Sequence, residues 1–170
     1  MTGESVSAPQ GREGAYRHLA GKYLTFALGD EEFGINIGMV KEIIKLMDIT
    51  HIPQTPGYIK GVINLRERVI PVTDLRMKFA MPTAEYTHET CIIVLETPGS
   101  PSGIIVDTVS EVVDIKPDDI EPPPAFDGNT EVANIQGMAK VKGRVIILLD
   151  ILSALGSEGV SRVTGATGAG

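Results

Sequence analysis

The stretch IKGVINLRERVIPVTDL, Ile59 to Leu75, returns later in the chain as IQGMAKVKGRVIILLDI, Ile135 to Ile151. At a constant offset of 76 positions (135 minus 59), glycine meets glycine at 61 and 137, arginine meets arginine at 68 and 144, and aspartate meets aspartate at 74 and 150. Upstream, FGINIGMVKEII from Phe33 aligns with SGIIVDTVSEVV from Ser102 at an offset of 69 (102 minus 33). Two gap-free echoes in the same order indicate a duplicated unit.

Length and charge limit what this duplicated unit can be. The chain has 170 residues, about one domain, so each half alone would be only marginally stable and the halves should pack together. A net charge of −7, without a long basic run, argues against nucleic acid and anionic membranes as partners. The longest apolar runs, CIIVL and VIILL, are far shorter than the ~18 residues of a membrane span, and the first twenty residues are polar and Gly/Ser-rich, unlike a signal peptide. We therefore expect a cytoplasmic protein.

Strand signals dominate between residues 21 and 155, where short β-branched runs alternate with Gly, Pro or Asp punctuation. They predict ten strands: Tyr23–Leu28, Phe33–Ile37, Glu42–Ile49, Tyr58–Leu65, Arg68–Thr73, Thr90–Glu96, Gly103–Val106, Glu111–Ile120, Ala133–Val141 and Arg144–Leu149. Many short strands close most economically into barrels, because closure removes exposed edges. We expect an all-β fold of two five-stranded barrels related by internal pseudo-symmetry, at about 21–80 and 84–150, with flexible segments at 1–20 and 156–170.

Helical signals are brief. The segments DLRMKFA and DILSAL begin with Asp74 and Asp150, each of which can cap a short helix after the last strand of its half. Between the strands of the second half, EPPPAF at Glu121 to Phe126 predicts a stiff loop of polyproline type, because successive prolines remove backbone donors.

Residue patterns typical of catalysis or metal binding are weak. Three histidines lack the close companion that a zinc site needs: His18, His51 and His88. The single cysteine, Cys91, lies in an apolar run and is interpreted as a core residue. Asp107, Glu111 and Asp114 are the densest candidates for acid–base chemistry, but a turn followed by a strand need not place them on one face. We expect no enzyme activity, no metal and no cofactor.

The turn inside the repeated hairpin carries charge in both halves, as Arg66-Glu67-Arg68 and as Lys142-Gly143-Arg144. Gly143 stands where a tight hairpin favours a positive φ angle. If Glu67 keeps that angle it costs about 1 kcal/mol; otherwise another turn type forms. The charges suit either a solvated hairpin tip or an arginine presented on a rigid scaffold to a partner's carboxylate.

The order of four segments carries a resemblance: FALGDEEFGINIGMVKEI, IPQTPGYIKGVINLRERVIPVTDLRMKF, GIIVDTVSEVVDI, and ANIQGM followed by GRVIILLDI. Over almost the whole of Lys22 to Leu155 the chain resembles the CheW family of chemotaxis coupling proteins. The resemblance implies two five-stranded SH3-like barrels, in agreement with the ten strands and the duplication.

A non-catalytic adaptor is what the resemblance implies. Such an adaptor joins the cytoplasmic tips of methyl-accepting chemotaxis receptors to the regulatory domain of the histidine kinase CheA, which places it at membrane receptor arrays through its partners. Matching the family's motifs residue by residue assigns receptor binding to Val40, Glu42, Ile43, Gly61 and Arg66, and a contact in the kinase ring to Phe126. Two departures from the family pattern affect these surfaces: Glu67 replaces a usual glycine, and Glu121 stands where some relatives have a basic residue.

Other readings stay open at this point. The nearest rival within the family is a regulatory double-barrel domain detached from a chemotaxis kinase or from a receiver fusion, although the polar termini and the length of 170 residues favour a free-standing chain. From another class, a small enzyme or ligand-binding barrel would use the cleft between the halves, with Asp107 and Glu111 as candidate groups. Val40 is either a receptor contact or a packing residue, as its echo Val109 allows.

Overall fold

The structure, a computed structural model, describes residues 17–123 and 134–155. Short strands dominate this part of the chain, and the expected all-β class is confirmed. In chain order the strands are β1 (Gly21–Leu28), β2 (Glu31–Asn36), β3 (Val40–Lys45), β4 (Ile59–Leu65), β5 (Arg68–Asp74), β6 (Cys91–Leu95), β7 (Ser102–Val106), β8 (Thr108–Ile115), β9 (Ile120–Glu121), β10 (Ile135–Val141) and β11 (Arg144–Leu149). Two short helices follow β5 and β11: α1 (Leu75–Lys78) and α2 (Ile151–Leu155).

The first barrel is the five-stranded sheet β3-β6-β7-β5-β4, built from one continuous stretch of chain. Its two edge strands, β3 and β4, lie at opposite ends of this order. The chain just beyond β3 returns to β4, where Thr50 and Val62 exchange two backbone hydrogen bonds of 2.8 Å. This bridge closes the sheet and removes most of its exposed edge.

The second barrel is the six-stranded sheet β8-β1-β2-β11-β10-β9. It closes in the same way, because β9 follows β8 along the chain and pairs with the far edge strand β10. Met138 pairs there with Glu121, and position 138 is the echo of Val62, which forms the closing bridge of the first barrel.

Strand order and register confirm the pseudo-symmetry. Strands β3, β6, β7, β5 and β4 follow one another in the first barrel as β8, β1, β2, β11 and β10 do in the second. In the first barrel, Val72 pairs in parallel with Gly103, and in the second Leu148 pairs in parallel with Gly34. These four residues are related by the offsets of 76 and 69 found in the sequence, so both echoes mark equivalent strands.

The division into barrels differs from the expected one at about residues 21–80 and 84–150. The β1–β2 hairpin belongs to the second barrel, and the β6–β7 hairpin, from the other half of the chain, belongs to the first. The two halves have exchanged hairpins, because β2 pairs with β11 and β5 pairs with β7, both in parallel. The first barrel thus spans residues 40–106 and the second combines 21–36 with 108–149.

Three local predictions were wrong, the first being the strand expected at Glu42–Ile49, since β3 ends at Lys45. The strand expected at Glu111–Ile120 is interrupted by a 3₁₀ turn at Pro117–Asp119, where the backbone N–H of Lys116 donates to the Asp119 carboxylate. Proline has no N–H for a ladder, which explains the interruption. The segment expected to be flexible, residues 1–20, is also partly packed against the fold. Leu19 is buried, and its carbonyl accepts a 2.6 Å hydrogen bond from the Tyr23 hydroxyl.

Three apolar clusters form the core. Each barrel has its own, around Ile63, Val72 and Ile92 in the first and around Tyr23, Ile146 and Leu148 in the second. The largest cluster lies between the barrels and is made mostly by the exchanged hairpins: Leu24, Phe26, Leu28, Phe33, Ile35, Ile93, Leu95, Ile104 and Val106. Burial of such side chains stabilises by about 1.5–3 kcal/mol each, so the exchange also joins the barrels.

Candidate functional site

The turn between β4 and β5 is a tight two-residue hairpin. Arg66 and Glu67 both have positive φ angles, 51° and 68°, as do Lys142 and Gly143 at the equivalent turn, 54° and 78°. The prediction of a positive φ at Gly143 is confirmed, and Glu67 keeps this backbone conformation although it carries a side chain. Such a turn matches the twist of the flanking strands and projects its side chains from the end of the barrel.

The guanidinium of Arg66 is already paired within the chain. Its two terminal nitrogens donate to the two carboxylate oxygens of Glu42, over 2.5 and 2.7 Å. Glu42 lies on β3 and Arg66 at the tip of β4, and these opposite edge strands meet only because the barrel closes. The hydrogen bond from Arg66 lowers the pKa of Glu42 below its usual range. The side chain of Arg66 is 68% exposed and that of Glu42 is 22% exposed, so the pair is open to solvent mainly on the arginine side.

Strand β3 places the apolar members of the predicted receptor surface on different faces. Its exposure alternates, with Val40, Glu42 and Ile44 half-buried and the residues between them exposed. Val40 packs against the core between the barrels, while Ile43 is 44% exposed. Of the two, Ile43 is therefore the side chain that a partner can reach without repacking.

Gly61 is buried and acts on the hairpin through the backbone. Its φ angle is +143°, and a Cβ at this position would overlap the carbonyl oxygen of Thr50. That carbonyl accepts one of the two hydrogen bonds that close the first barrel. Glycine is required here because the backbone of the neighbouring segment occupies the place of a side chain.

An equivalent surface on the second barrel was not predicted from the sequence. Arg144, at the base of the second hairpin, donates to Glu111 over 2.8 Å and lies 3.4 Å from Glu32. Val112 and Val145 are 49% and 50% exposed, and they are the echoes of Ile43 and of Val69, which is 56% exposed. The signal was available, since Glu111 is the echo of Glu42 at the offset of 69. Both barrels therefore present exposed aliphatic side chains together with a glutamate–arginine pair.

The candidate acid–base groups do not come together. Asp107 lines a polar cavity of about 440 Å³ between the barrels, whereas Glu111 is held by Arg144 on the outer surface. Arg76 forms two hydrogen bonds with Asp107, over 2.8 and 2.5 Å, and these lower the pKa of the Asp107 carboxyl. A carboxylate held ionised by a guanidinium is poorly suited to act as a general acid.

Other possible site residues give no cluster. Within 17–123 and 134–155, no group of three or more His, Cys, Asp or Glu side chains is placed to hold a metal ion. Cys91 is half-buried, and burial raises the pKa of its thiol. Phe126 lies outside the described residues. None of the helices described is long and apolar enough to cross a membrane.

Comparison with known proteins agrees with this architecture. The protein-family model of the CheW-like domain matches residues 22–159 of this chain. The chain belongs to the CheW-like family. The chemotaxis protein CheW of Klebsiella aerogenes is 39% identical over 142 residues, which cover 84% of this chain and 86% of that protein. The chemotaxis protein CheW of Bacillus subtilis is 33% identical over 137 residues, covering 81% and 88%.

A solved relative has the same fold. The crystal structure of the scaffolding protein CheW from Thermoanaerobacter tengcongensis superposes with a TM-score of 0.71 at 39% identity, covering 77% of this chain and 89% of that one. The chain is accordingly a chemotaxis scaffold or adaptor of the CheW family and not an enzyme.

Proposed function

We propose that this chain couples chemoreceptor tips to the histidine kinase CheA by binding the two partners with different surfaces of its double barrel. The observation that carries the proposal is the repetition described above. One small protein offers two equivalent sets of exposed aliphatic side chains, each beside a glutamate–arginine pair. Two separate surfaces on a rigid body are what an adaptor needs in order to hold two partners at once.

The receptor is assigned to the first barrel. Here the two-residue turn presents Arg66 on a rigid hairpin, and Ile43 is exposed on the neighbouring edge strand. Contacts of the aliphatic side chains bury apolar surface against the receptor. The paired Arg66 and Glu42 offer directional hydrogen bonds and repel partners whose charges do not match. Val40 and Gly61 support this surface from the interior of the protein. Val40 packs against the core between the barrels, and Gly61 allows the first barrel to close.

The kinase is assigned to the remaining faces, and Phe126 to the contact with its regulatory domain. The assignment of Phe126 rests on the family resemblance alone. Glu121 forms a 3.0 Å ion pair with Lys140, so the acidic residue at this position is partly neutralised by its own chain. Matching of the chain to coupling proteins over most of their length favours the adaptor over a detached regulatory domain of a kinase. The proposed location is the cytoplasm, at receptor arrays reached through the partners.

Pseudo-symmetry supplies a matched pair of variants for testing the receptor surface. Ile43→Asp places a charge on the exposed face of β3, and Val112→Asp makes the same change at the equivalent position of β8. Each variant is titrated by calorimetry against a receptor signalling fragment and, separately, against the CheA regulatory domain. We expect Ile43→Asp to weaken receptor binding at least tenfold, and Val112→Asp to leave it within about twofold, because only one of the two surfaces meets the receptor.

Arg66→Asp extends the same test to the charged part of the surface. It removes the guanidinium and faces Glu42 with a like charge, so receptor binding should fall by at least about tenfold while kinase binding persists. Equal losses for both partners, or loss of receptor binding in Val112→Asp alone, would refute the assignment of the receptor to the first barrel. Circular dichroism of each variant checks that the barrels remain folded.

A further inference from the structure

The chain between α1 and β6 crosses the junction of the two barrels as an exposed strap, residues 82–89. Every residue of this strap is exposed, so no side chain anchors it in a core. Beneath it lies the polar cavity of about 440 Å³, lined on the strap side by Tyr86 and Thr87 and on the other side by Ala27, Ile105, Asp107 and Thr108. The strap therefore covers a space between the barrels without filling it.

Two polar contacts fasten the strap to α1. The hydroxyl of Tyr86 donates to the Asp74 carboxylate over 2.7 Å, and Asp74 is also the residue that caps α1. One terminal nitrogen of Arg76 donates to the carbonyl oxygen of Pro82 over 2.8 Å. Hydrogen bonds to a charged partner are stronger than those between neutral groups, so these two contacts dominate the attachment.

The same Arg76 side chain connects the strap to the second barrel. Its remaining nitrogens bind Asp107, whose carboxylate also accepts a 2.8 Å hydrogen bond from the backbone N–H of Gly29 in the β1–β2 turn. Arg76 is 17% exposed and Asp107 28% exposed, so the cluster is largely shielded from water. The guanidinium of Arg76 thus connects the strap and α1 to the β1–β2 hairpin of the second barrel.

The pseudo-symmetry indicates that this cluster is not a requirement of the barrel fold. At the offsets of 76 and 69, Arg76 corresponds to Leu152, which is 38% exposed, and Asp107 corresponds to Gly38. Among the described residues, these two equivalent positions thus carry neither the cation nor the carboxylate. Because the described residues at the equivalent positions lack this ion pair, the barrel fold itself does not require it, and at this junction the same guanidinium also holds the strap through Pro82.

We propose that residues 82–89 form a hinged cover over the cavity between the barrels. Two hydrogen bonds hold the cover shut, one from the Tyr86 hydroxyl to the Asp74 carboxylate and one from Arg76 to the carbonyl oxygen of Pro82. Release of either contact opens the strap while both barrels stay folded, because the strap contributes no side chain to any of the three cores. Opening widens access to the cavity and frees acceptor oxygens on Asp74. Segments with few buried contacts and exposed backbone are the ones that open locally in native proteins.

Native-state proteolysis with a glutamate-specific protease tests the cover, because Glu85 and Glu89 lie inside the strap. Tyr86→Phe removes only the hydroxyl and leaves both cleavage sites intact. We expect cleavage after these two residues to become about tenfold faster, since cleavage follows the population of the open segment, while cleavage at glutamates in the barrel strands is unchanged. Arg76→Gln should act in the same direction.

Two control variants keep the result specific to the strap. Tyr58→Phe makes the same chemical change in a ring that packs under the Lys78 ammonium group, outside the strap, and Arg66→Gln breaks an ion pair elsewhere. Neither should alter cleavage at Glu85 or Glu89. Unchanged cleavage in Tyr86→Phe, a strap that the wild-type chain already exposes fully, or an equal acceleration at all sites would overturn the proposal. If Arg76→Gln fails to fold, Tyr86→Phe alone decides.

Discussion

Replacement of Gly61 by alanine tests whether this position supports the receptor surface through the backbone. The added Cβ would overlap the carbonyl oxygen of Thr50 and lie 2.7 Å from its carbonyl carbon, at a φ angle of +143°. The left-handed backbone costs about 1–2 kcal/mol for an L residue. Relief of the overlap moves Thr50 away from β4 and disrupts its two hydrogen bonds with Val62, each contributing about 0.5–1.5 kcal/mol. Gly61→Ala should therefore destabilise the protein by about 2–5 kcal/mol.

Gly143→Ala is the matched control for this experiment. Gly143 also has a positive φ angle, +78°, but nothing lies within 4 Å of its Cβ position, so only the backbone cost of about 1–2 kcal/mol applies. Urea unfolding of both variants, followed by circular dichroism, gives the two free energies. If Gly61→Ala costs no more than Gly143→Ala, the overlap with Thr50 is relieved without loss and the reasoning fails. Receptor titration of Gly61→Ala under folding conditions should show weaker binding, because the hairpin shifts although Gly61 itself is buried.

Two further predictions concern the hairpin tip and the junction. Glu67→Gly should raise the unfolding free energy by about 1 kcal/mol in urea, since glycine adopts a φ of 68° without strain; an unchanged or lower value would contradict this. Arg76 lowers the pKa of Asp107, so the stability from this carboxylate is fully present above the unfolded pKa of about 3.9 and is lost as pH falls through the lower folded value. The stability difference between wild type and Asp107→Asn should therefore shrink below about pH 4, and a difference constant from pH 7 to pH 2 would refute the assignment.

How far the sequence predicts this fold depends on which contacts are local. The repeat, the hairpins and the capping aspartates depend on neighbouring residues, and they were predicted together with the all-β class. The hairpin exchange was not, because equivalent strands in two copies of a unit have equal sequence reasons to pair within their own copy or across copies. Phe33 is as compatible with one sheet as with the other, and only packing of the core between the barrels determines which sheet its strand joins.

The charged pairs show the same limit at the candidate site. Arg66 was identified as exposed and suited to a carboxylate, but its partner Glu42 is 24 residues away on the opposite edge of the sheet. Only closure of the barrel brings the two together. Arg76 and Asp107, 31 residues apart, meet for a related reason, since α1 and the β7–β8 turn become neighbours only after the exchange. The pattern of residues along the chain does not show which charged side chains will lie close together in the folded protein.

The exchanged hairpins also set an order of events during synthesis. Residues 40–106 emerge from the ribosome as one uninterrupted stretch and contain all five strands of the first barrel, so that barrel can assemble while the rest of the chain is still being made. The amino-terminal hairpin has to wait, because Phe33 pairs with Ile147, 114 positions later (147 minus 33). Pairing across so long a separation is slow, and meanwhile the hairpin exposes Phe26 and Phe33 to other chains. The residues of this hairpin are thus made before the first barrel but reach their places after it, and a chain released before β11 is translated leaves this hairpin without its parallel partner strand.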